Sequence, residues 1–237
     1  MPTERPPRSA FTAAERRVIN RLRTPHAVQR WLNRLPYNTE PPPDPATLRS
    51  FRGVIGRHSA HCLEAALAAA VILEQHGYPP TVLSFESIDN LDHVIFVYRR
   101  SALWGSVARS RDPGLHGRKP VFPTARALAL SYVDPYVDLT GRVVGYAVVD
   151  LRVLGDYDWR LSEQNVWKVE RMLLDWPHHR IRSSDRRINA LRKRYRAFHK
   201  RFPGAKPVLY EGRGKWTELP REFRIQTPES RRVQESF

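Results

Sequence analysis

The 237-residue sequence predicts an α+β fold in which a helix carrying the single cysteine packs on an antiparallel sheet. Ala60 to His76 is dense in Ala and Leu and apolar nearly all round, which is typical of a helix buried inside a domain. Three short runs rich in β-branched and aromatic residues follow it and predict neighbouring strands. Amphipathic helical patterns before and after this block predict flanking helices at both ends.

The first part of the chain predicts a lead and three helices. Thr12 and Glu15 have the spacing of a capping box, which marks the start of a helix. Thr24 followed by Pro25 marks a second helix start, since Pro is favoured at the first helical position. The remaining predictions are a disordered lead at 1–10, a proline-rich surface loop at 37–45 and a short helix near 48–55.

The central block begins at Ser59, which we expect to be the N-cap of the buried helix, with Cys62 near its third position. Gly77 and Pro79 predict where this helix ends. Strands are predicted at 81–86, 92–98 and 103–108, in a sheet of three to five strands that includes 142–151. Residues 109–123 predict an ordered loop, and a short helix is predicted near 124–130.

The last part of the chain predicts helices and then a tail. Ser162 is the predicted N-cap of one helix, and Ser183 or Ser184 that of another. We predict a single domain over 11–204 with a C-terminal helical extension from 160, followed by a partly ordered tail at 205–237.

Composition restricts the classes of protein to consider. There are 40 Lys and Arg against 24 Asp and Glu, a net charge of +16, which favours acidic partners. A single cysteine forms no internal disulfide, no signal peptide is visible, and the longest apolar stretch is too short for a bilayer. The expectation is a cytoplasmic protein without a membrane segment. No nucleotide-binding glycine motif is present, and no cofactor is predicted.

Cys62 has a favourable position for a nucleophile. The first turn of a helix presents free backbone N–H groups and the positive end of the helix dipole, which favour the thiolate. The same N–H groups can bind the oxyanion of a tetrahedral intermediate. The alternative is a small core residue, which is what most cysteines in Ala-rich helices are.

His93 is the matching candidate for the base. It opens the predicted strand His93–Tyr98, one helix and one strand after Cys62. A cysteine at a helix start and a histidine at the start of a later strand are what cysteine–histidine nucleophilic catalysis requires. The alternative is a core histidine bonded to a backbone carbonyl.

The segments Ser59–Ala66, Gly77–Pro79, Asp92–Val94 and Trp104–Ser106 resemble the core of the transglutaminase-like (papain-like cysteine) superfamily, and more narrowly a bacterial branch of it. The resemblance covers roughly residues 26–155. It implies that Cys62 is the nucleophile and His93 the base, with an acidic or amide residue on the following strand orienting the histidine.

The third residue departs from the pattern of this superfamily. An Asp is expected a few residues after Trp104, but the first acid is Asp112. Hairpin geometry places Ala108 to Ser110 opposite His93, so Ser110 is the first candidate for the orienting position and Asp112 the second. Loss of a proper acid would weaken catalysis, because in the serine-protease triad the amide replacement of the Asp costs about ten-thousand-fold.

The sequence thus predicts a cysteine-dependent acyl-transfer or amide-hydrolysing enzyme acting on a peptide or protein. An alternative is an inactive transglutaminase-like module that binds a peptide or protein. A second is a nucleic-acid-binding protein, since Arg180 to Arg201 holds ten Lys or Arg and one Asp, although this helix also has a complete apolar stripe. His58 and His61 beside Cys62 have a spacing that metal ligands can have, but no second cysteine or carboxylate cluster completes a zinc set.

Overall fold

The computed structural model describes residues 4–40, 43, 45–90 and 92–203. Within these residues the chain forms seven α-helices and one six-stranded antiparallel sheet, so the predicted α+β class is confirmed. The helices are α1 (Ala13–Arg21), α2 (Pro25–Arg34), α3 (Phe51–Arg57), α4 (Cys62–Glu74), α5 (Ala125–Tyr136), α6 (Trp167–Leu174) and α7 (Asp185–Arg201). The strands are β1 (Thr81–Ser87), β2 (His93–Arg100), β3 (Leu103–Val107), β4 (Arg118–Phe122), β5 (Val143–Asp150) and β6 (His179–Arg180).

The sheet has the order β4-β3-β2-β1-β5-β6, which places β2 and β1 at its centre. β2 and β3 form the predicted hairpin, turning at Ser101 and Ala102 with φ of 49° and 65°. At the opposite end of β2, His93 pairs with Phe85 of β1. The first residue of β2 therefore lies at one end of the sheet, on one of its two central strands.

Helices cover both faces of the sheet. The buried helix α4 packs on the face formed by Val82, Val94 and Phe96, and all its residues after Cys62 are buried, as predicted. On the other face, Leu83, Ile95 and Val97 pack with residues of α5. Each fully buried apolar side chain contributes about 1.5–3 kcal/mol relative to an exposed one, so α4 is the main anchor of the domain.

Four helix starts agree with side-chain caps. Thr12 and Glu15 form the predicted capping box, and Thr24 accepts a hydrogen bond from the third residue of α2. Ser184 caps α7, one of the two predicted alternatives. Ser50 caps α3, so the predicted helix near 48–55 begins three residues later than expected.

The N-cap predictions at Ser59 and Ser162 were wrong. Ala60 bridges Tyr37, which keeps the chain extended up to His61, the actual N-cap, so Cys62 is the first residue of α4. Ser162 bonds the backbone N–H of Gln164 in a local turn, and α6 begins only after Val166. In both places tertiary contacts delay the start of the helix.

The sheet has one strand more than the largest number predicted. Residues 118–122, expected to be part of a loop, form the edge strand β4, and α5 extends six residues beyond the helix predicted at 124–130. Pro120 lacks a backbone N–H, and only an edge strand tolerates this. Gly, Pro and Arg in this segment conceal the strand from propensity arguments.

The ends of the chain were predicted to be a disordered lead and a partly ordered tail. Of residues 1–10, those from 4 onward are described and include a 3-10 turn at Arg8–Ala10. The predicted tail at 205–237 lies outside the described residues. Among the helices of the described chain, none has the length and apolar character needed to cross a membrane.

Candidate active site

Cys62 lies at the mouth of a cleft, at the start of the buried helix. It is partly exposed, so reagents can approach it, and it lines a cavity of about 490 Å³. Two backbone hydrogen bonds, Asn38 N to Ala60 O and Ala60 N to Pro36 O, tie the residues before Cys62 to a neighbouring segment. The helix start is therefore held rigidly where the thiol meets solvent.

His93 reaches Cys62 from the start of β2. The two side chains are hydrogen-bonded, and His93 is 3% exposed. Its Nε2 atom lies 3.1 Å from the carbonyl oxygen of Leu115. A carbonyl only accepts, so Nε2 carries a proton and Nδ1 is the ring nitrogen available to the thiol. Phe85 stacks on the ring with 6.1 Å between centroids, which fixes its plane.

His61 is a second imidazole at the thiol. Its side chain is hydrogen-bonded to Cys62, and its Nε2 lies 3.0 Å from the carbonyl oxygen of Thr47. Each histidine thus donates Nε2–H to a backbone carbonyl and leaves Nδ1 for the sulfur. From the sequence, His61 is a candidate metal ligand and not a partner of the thiol, although its position directly before Cys62 is a signal for the second role.

The two imidazoles determine the charge state of the thiol. Burial would raise the pKa of Cys62, but the hydrogen bonds and positive charges of His61 and His93 outweigh it and hold this pKa well below its usual value. Burial likewise disfavours a charged His61, yet the hydrogen bond and charge of Cys62 raise the pKa of His61 to about 9. The resting site is therefore a thiolate–imidazolium pair at neutral pH.

A buried carboxylate supports His61. Glu64, which is 0% exposed, accepts a hydrogen bond from the backbone N of His61 at 3.0 Å. Arg49 donates to both oxygens of Glu64, from Nε at 2.7 Å and Nη2 at 3.0 Å. Thr47 also donates to Glu64, at 3.1 Å. This network fixes the carbonyl of Thr47 that orients the His61 ring.

Tyr37 lies beside the backbone of Cys62. The Cys62 N–H donates a hydrogen bond to the Tyr37 hydroxyl, and Tyr37 lines the cleft. Burial, together with the negative charge of Cys62, raises the pKa of Tyr37, so its hydroxyl keeps its proton. The Tyr37 hydroxyl, held by the Cys62 N–H, thus lies next to the start of α4 with its own proton free to donate.

Ser110 and Asp112, the predicted orienting residues, both lie on the cleft wall. The hydroxyl of Ser110 accepts from the backbone N of Asp112 at 3.0 Å, and the carboxylate of Asp112 lies 3.8 Å from Arg111. The hydrogen bond described for His93 goes to the carbonyl of Leu115. The 3-10 turn Pro113–Leu115 folds this carbonyl towards the ring, and a backbone atom leaves no signal in the sequence.

Arg118 binds the backbone of this turn. It is fully buried and stacks on Tyr132, with 4.0 Å from Cζ to the ring centroid. Its guanidinium donates to the carbonyls of Gly114 at 2.8 Å and of His116 at 2.5 Å. These carbonyls flank Leu115 on both sides, so Arg118 fixes the peptide whose oxygen bonds His93.

The cleft wall comes from separate parts of the chain. Besides the residues named above, it includes Glu40, Asp89, Asp92, Tyr136, Asp138, Trp167, Glu170 and Tyr195. Among the aromatic residues, Tyr136 lines this cleft, Tyr132 is fully buried and Trp104 lines a separate pocket.

The sequence also suggests two other kinds of ligand, a metal ion near His61 and a nucleic acid on the basic helix α7. The described ranges contain no group of three or more His, Cys, Asp or Glu side chains placed to hold a metal ion. The basic helix α7 buries Ile188 and Leu191 with Val137, and Arg187 pairs with Asp134 at 2.7 Å. A role of this helix in nucleic-acid binding stays a prediction.

Comparison with known proteins gives distant similarity to solved structures. No protein-family model matches the sequence, and no curated protein matches it. The structure of LapG from Legionella pneumophila, treated with EGTA, is similar with a TM-score of 0.36 and 13% identity, over 63% of this chain and 89% of that chain. The activity of this chain must therefore be inferred from its own residues.

Proposed function

We propose that this protein is a cysteine-dependent enzyme with a transglutaminase-like core that hydrolyses or transfers the acyl group of a peptide or protein amide. One observation carries the proposal: Cys62 lies in an open cleft, at a helix start, with hydrogen bonds to the side chains of both His61 and His93. An inert core cysteine has no need of two imidazoles or of access to a cleft.

In the first half of the reaction, the Cys62 thiolate attacks the carbonyl carbon of the bound amide. The electron pair of the C=O bond moves to oxygen, and the Tyr37 O–H, whose oxygen accepts from the Cys62 N–H, donates to the resulting oxyanion. Collapse of this intermediate breaks the C–N bond and forms a thioester. His93, as imidazolium, gives its proton to the departing amine.

In the second half, a nucleophile attacks the thioester. Neutral His93 takes a proton from water or from an amine as it adds to the carbonyl carbon. The C–S bond breaks, and either a carboxylic acid or a new amide leaves. The sulfur departs as thiolate, and the proton held by the imidazole restores the resting pair.

The superfamily resemblance and the geometry support the same assignment of Cys62 and His93. They differ in the orienting group, because a carbonyl fixes the tautomer but does not stabilise the imidazolium as an acid would. His61 supplies a second positive charge at the sulfur, which compensates for part of this difference. We therefore expect a slower enzyme than one with a complete acid-containing triad.

The test uses the fact that Cys62 is the only cysteine of the chain, so each alkylation event reports on this residue. The rate of reaction with iodoacetamide is measured at pH 6, where an ordinary thiol with a pKa of about 8.5 is almost fully protonated. We expect fast labelling of the native protein and a rate at least about tenfold lower in His93→Ala.

The matched control is His58→Asn. His58 is an exposed histidine with a φ of 54°, a conformation that Asn tolerates, and it does not line the cleft. It should label like the native protein. If the native protein and His93→Ala label equally slowly, the enzymatic proposal fails and a binding module is the better reading.

A further inference from the structure

The walls of the candidate active-site cleft have a charge opposite to that of the whole chain. The chain carries a net charge of +16. Among the residues that the structure describes, the cleft is nevertheless lined by six carboxylates and, besides the histidines, by the single cation Arg111. The carboxylates are Glu40, Asp89, Asp92, Asp112, Asp138 and Glu170.

Neutral groups hold several of these carboxylates in place. Glu40 accepts a hydrogen bond from the backbone N of Thr47 at 2.6 Å. Asp138 accepts from the backbone N atoms of Thr140 at 2.8 Å and Gly141 at 2.7 Å. Neutral donors position a carboxylate without cancelling its charge, so both remain available to a ligand.

The carboxylates also act on one another. Burial raises the pKa of Asp92 and, with the negative charges of Glu86 and Asp89, outweighs the lowering by the Ser87 N–H and by the charge of His178. Carboxylates in a partly enclosed cleft repel each other, and a bound cation lowers the free energy of this repulsion. The negative field is therefore concentrated where a substrate would approach Cys62.

Aromatic side chains form the rest of a cation site. Tyr37, Tyr136, Trp167 and Tyr195 line the same cleft. The face of an aromatic ring attracts ammonium and guanidinium groups, most strongly for Trp. Carboxylates and aromatic rings around a thiolate–imidazolium pair together define the chemistry of the ligand.

From this arrangement we propose that the cleft selects a peptide bearing a lysine or arginine side chain close to the amide that Cys62 attacks. The inference rests on the proposed function, since it names the substrate class of that site. The net charge of the chain alone would favour acidic peptides, because a chain of +16 repels cations and attracts anions. The sign of the preference therefore separates the local field from the global one.

The experiment measures the reaction of Cys62 in the full chain with three methanethiosulfonates, which are trimethylammonium-ethyl, hydroxyethyl and sulfonatoethyl derivatives. Each forms a mixed disulfide with the thiolate and releases methanesulfinate. The cation-to-anion rate ratio is divided by that of 2-mercaptoethanol, which removes the attraction of the thiolate itself. We expect a normalised ratio of about ten or more at low ionic strength.

Variants then locate the source of the preference. Glu40→Gln with Glu170→Gln removes two charges from the cleft and should lower the ratio several-fold. Asp156→Asn with Glu163→Gln removes two charges from exposed positions outside the cleft and should leave it unchanged. A normalised ratio below one in the native protein, or equal losses in the two double variants, would overturn the inference.

A second measurement uses substrate-like ligands. Matched peptides that differ only in Lys or Glu at one position compete with the neutral reagent, and the Lys peptide should protect Cys62 better. Protection by the Glu peptide alone would contradict the proposal. Slow labelling of Cys62 by all three reagents would instead count against the proposed function, while the charge ratio would still be measurable.

Discussion

The Nε2 atom of His93 and the carbonyl oxygen of Leu115 lie 3.1 Å apart, and both residues are buried. This hydrogen bond fixes the imidazole tautomer and turns Nδ1 towards Cys62. A backbone oxygen thus occupies the place where a cysteine–histidine enzyme usually has an acid or an amide. Whatever fixes the peptide of Leu115 therefore also fixes the base.

Arg118→Lys should slow the reaction of Cys62 while leaving the protein folded. Lysine keeps the positive charge but cannot bond the carbonyls of Gly114 and His116 at once as the guanidinium does. We expect the alkylation rate at pH 6 to fall by about tenfold, as for the loss of an outer partner of a functional group. Arg126→Lys, an exposed change on α5, is the control. An unchanged rate with cooperative thermal unfolding would mean that Arg118 does not position His93.

His61→Asn should change the pH dependence of labelling. The pKa of His61 is raised to about 9, so its charge stabilises the thiolate below that pH and is lost above it. Asn keeps a residue suited to the N-cap but removes the imidazole. Alkylation should therefore slow at pH 6 and remain unchanged at pH 10, where the thiol is ionised in both proteins. Equal rates at pH 6 would assign the whole effect to His93.

Tyr37→Phe should lower turnover more than thiol reactivity. The hydroxyl is proposed to bind the oxyanion, which exists only during acyl transfer, and an oxyanion-hole donor contributes about a hundredfold to turnover. Alkylation by iodoacetamide forms no such oxyanion and should change little. Two rates are compared in native protein and variant. One is the hydrolysis of an activated ester, which passes through a thioester on Cys62, and the other is labelling by iodoacetamide. Parallel losses in both assays would indicate a structural role for Tyr37 instead.

Glu64→Gln should destabilise the fold and remove the part of its acid sensitivity that comes from Glu64. Burial favours the neutral acid, but hydrogen bonds from Arg49 and the charge of His61 outweigh it and hold the pKa of Glu64 below 4.5. This stabilisation is present above pH 4.5 and is lost as the pH falls through the lowered value. Removing one member of a buried ion pair costs about 3–5 kcal/mol.

Urea unfolding at pH 7 measures this loss, with Glu163→Gln as the exposed control. The difference between native protein and Glu64→Gln should shrink at pH 4 and below. A loss at pH 7 no larger than that of the control would contradict the assigned role of the Glu64 network.

The local signals of the sequence predicted the elements that depend on a few neighbouring residues. The all-round apolar helix α4, the hairpin β2–β3 and the caps at Thr12 and Thr24 follow from periodicity, β-propensity and side-chain hydrogen bonds within three residues. The strand β4 was not predictable in this way, because it forms only when the neighbouring strand β3 supplies its hydrogen bonds.

The sequence by itself determined that a cysteine lies at the start of a buried helix and that a histidine begins the second strand after that helix. Tertiary structure decided that His61 is the second imidazole at the sulfur, that Leu115 orients His93, and that carboxylates from distant segments line one cleft. The physical reason is that hydrogen bonds to backbone carbonyls and the charge of a cleft depend on how separate segments meet, which no local pattern of residues encodes.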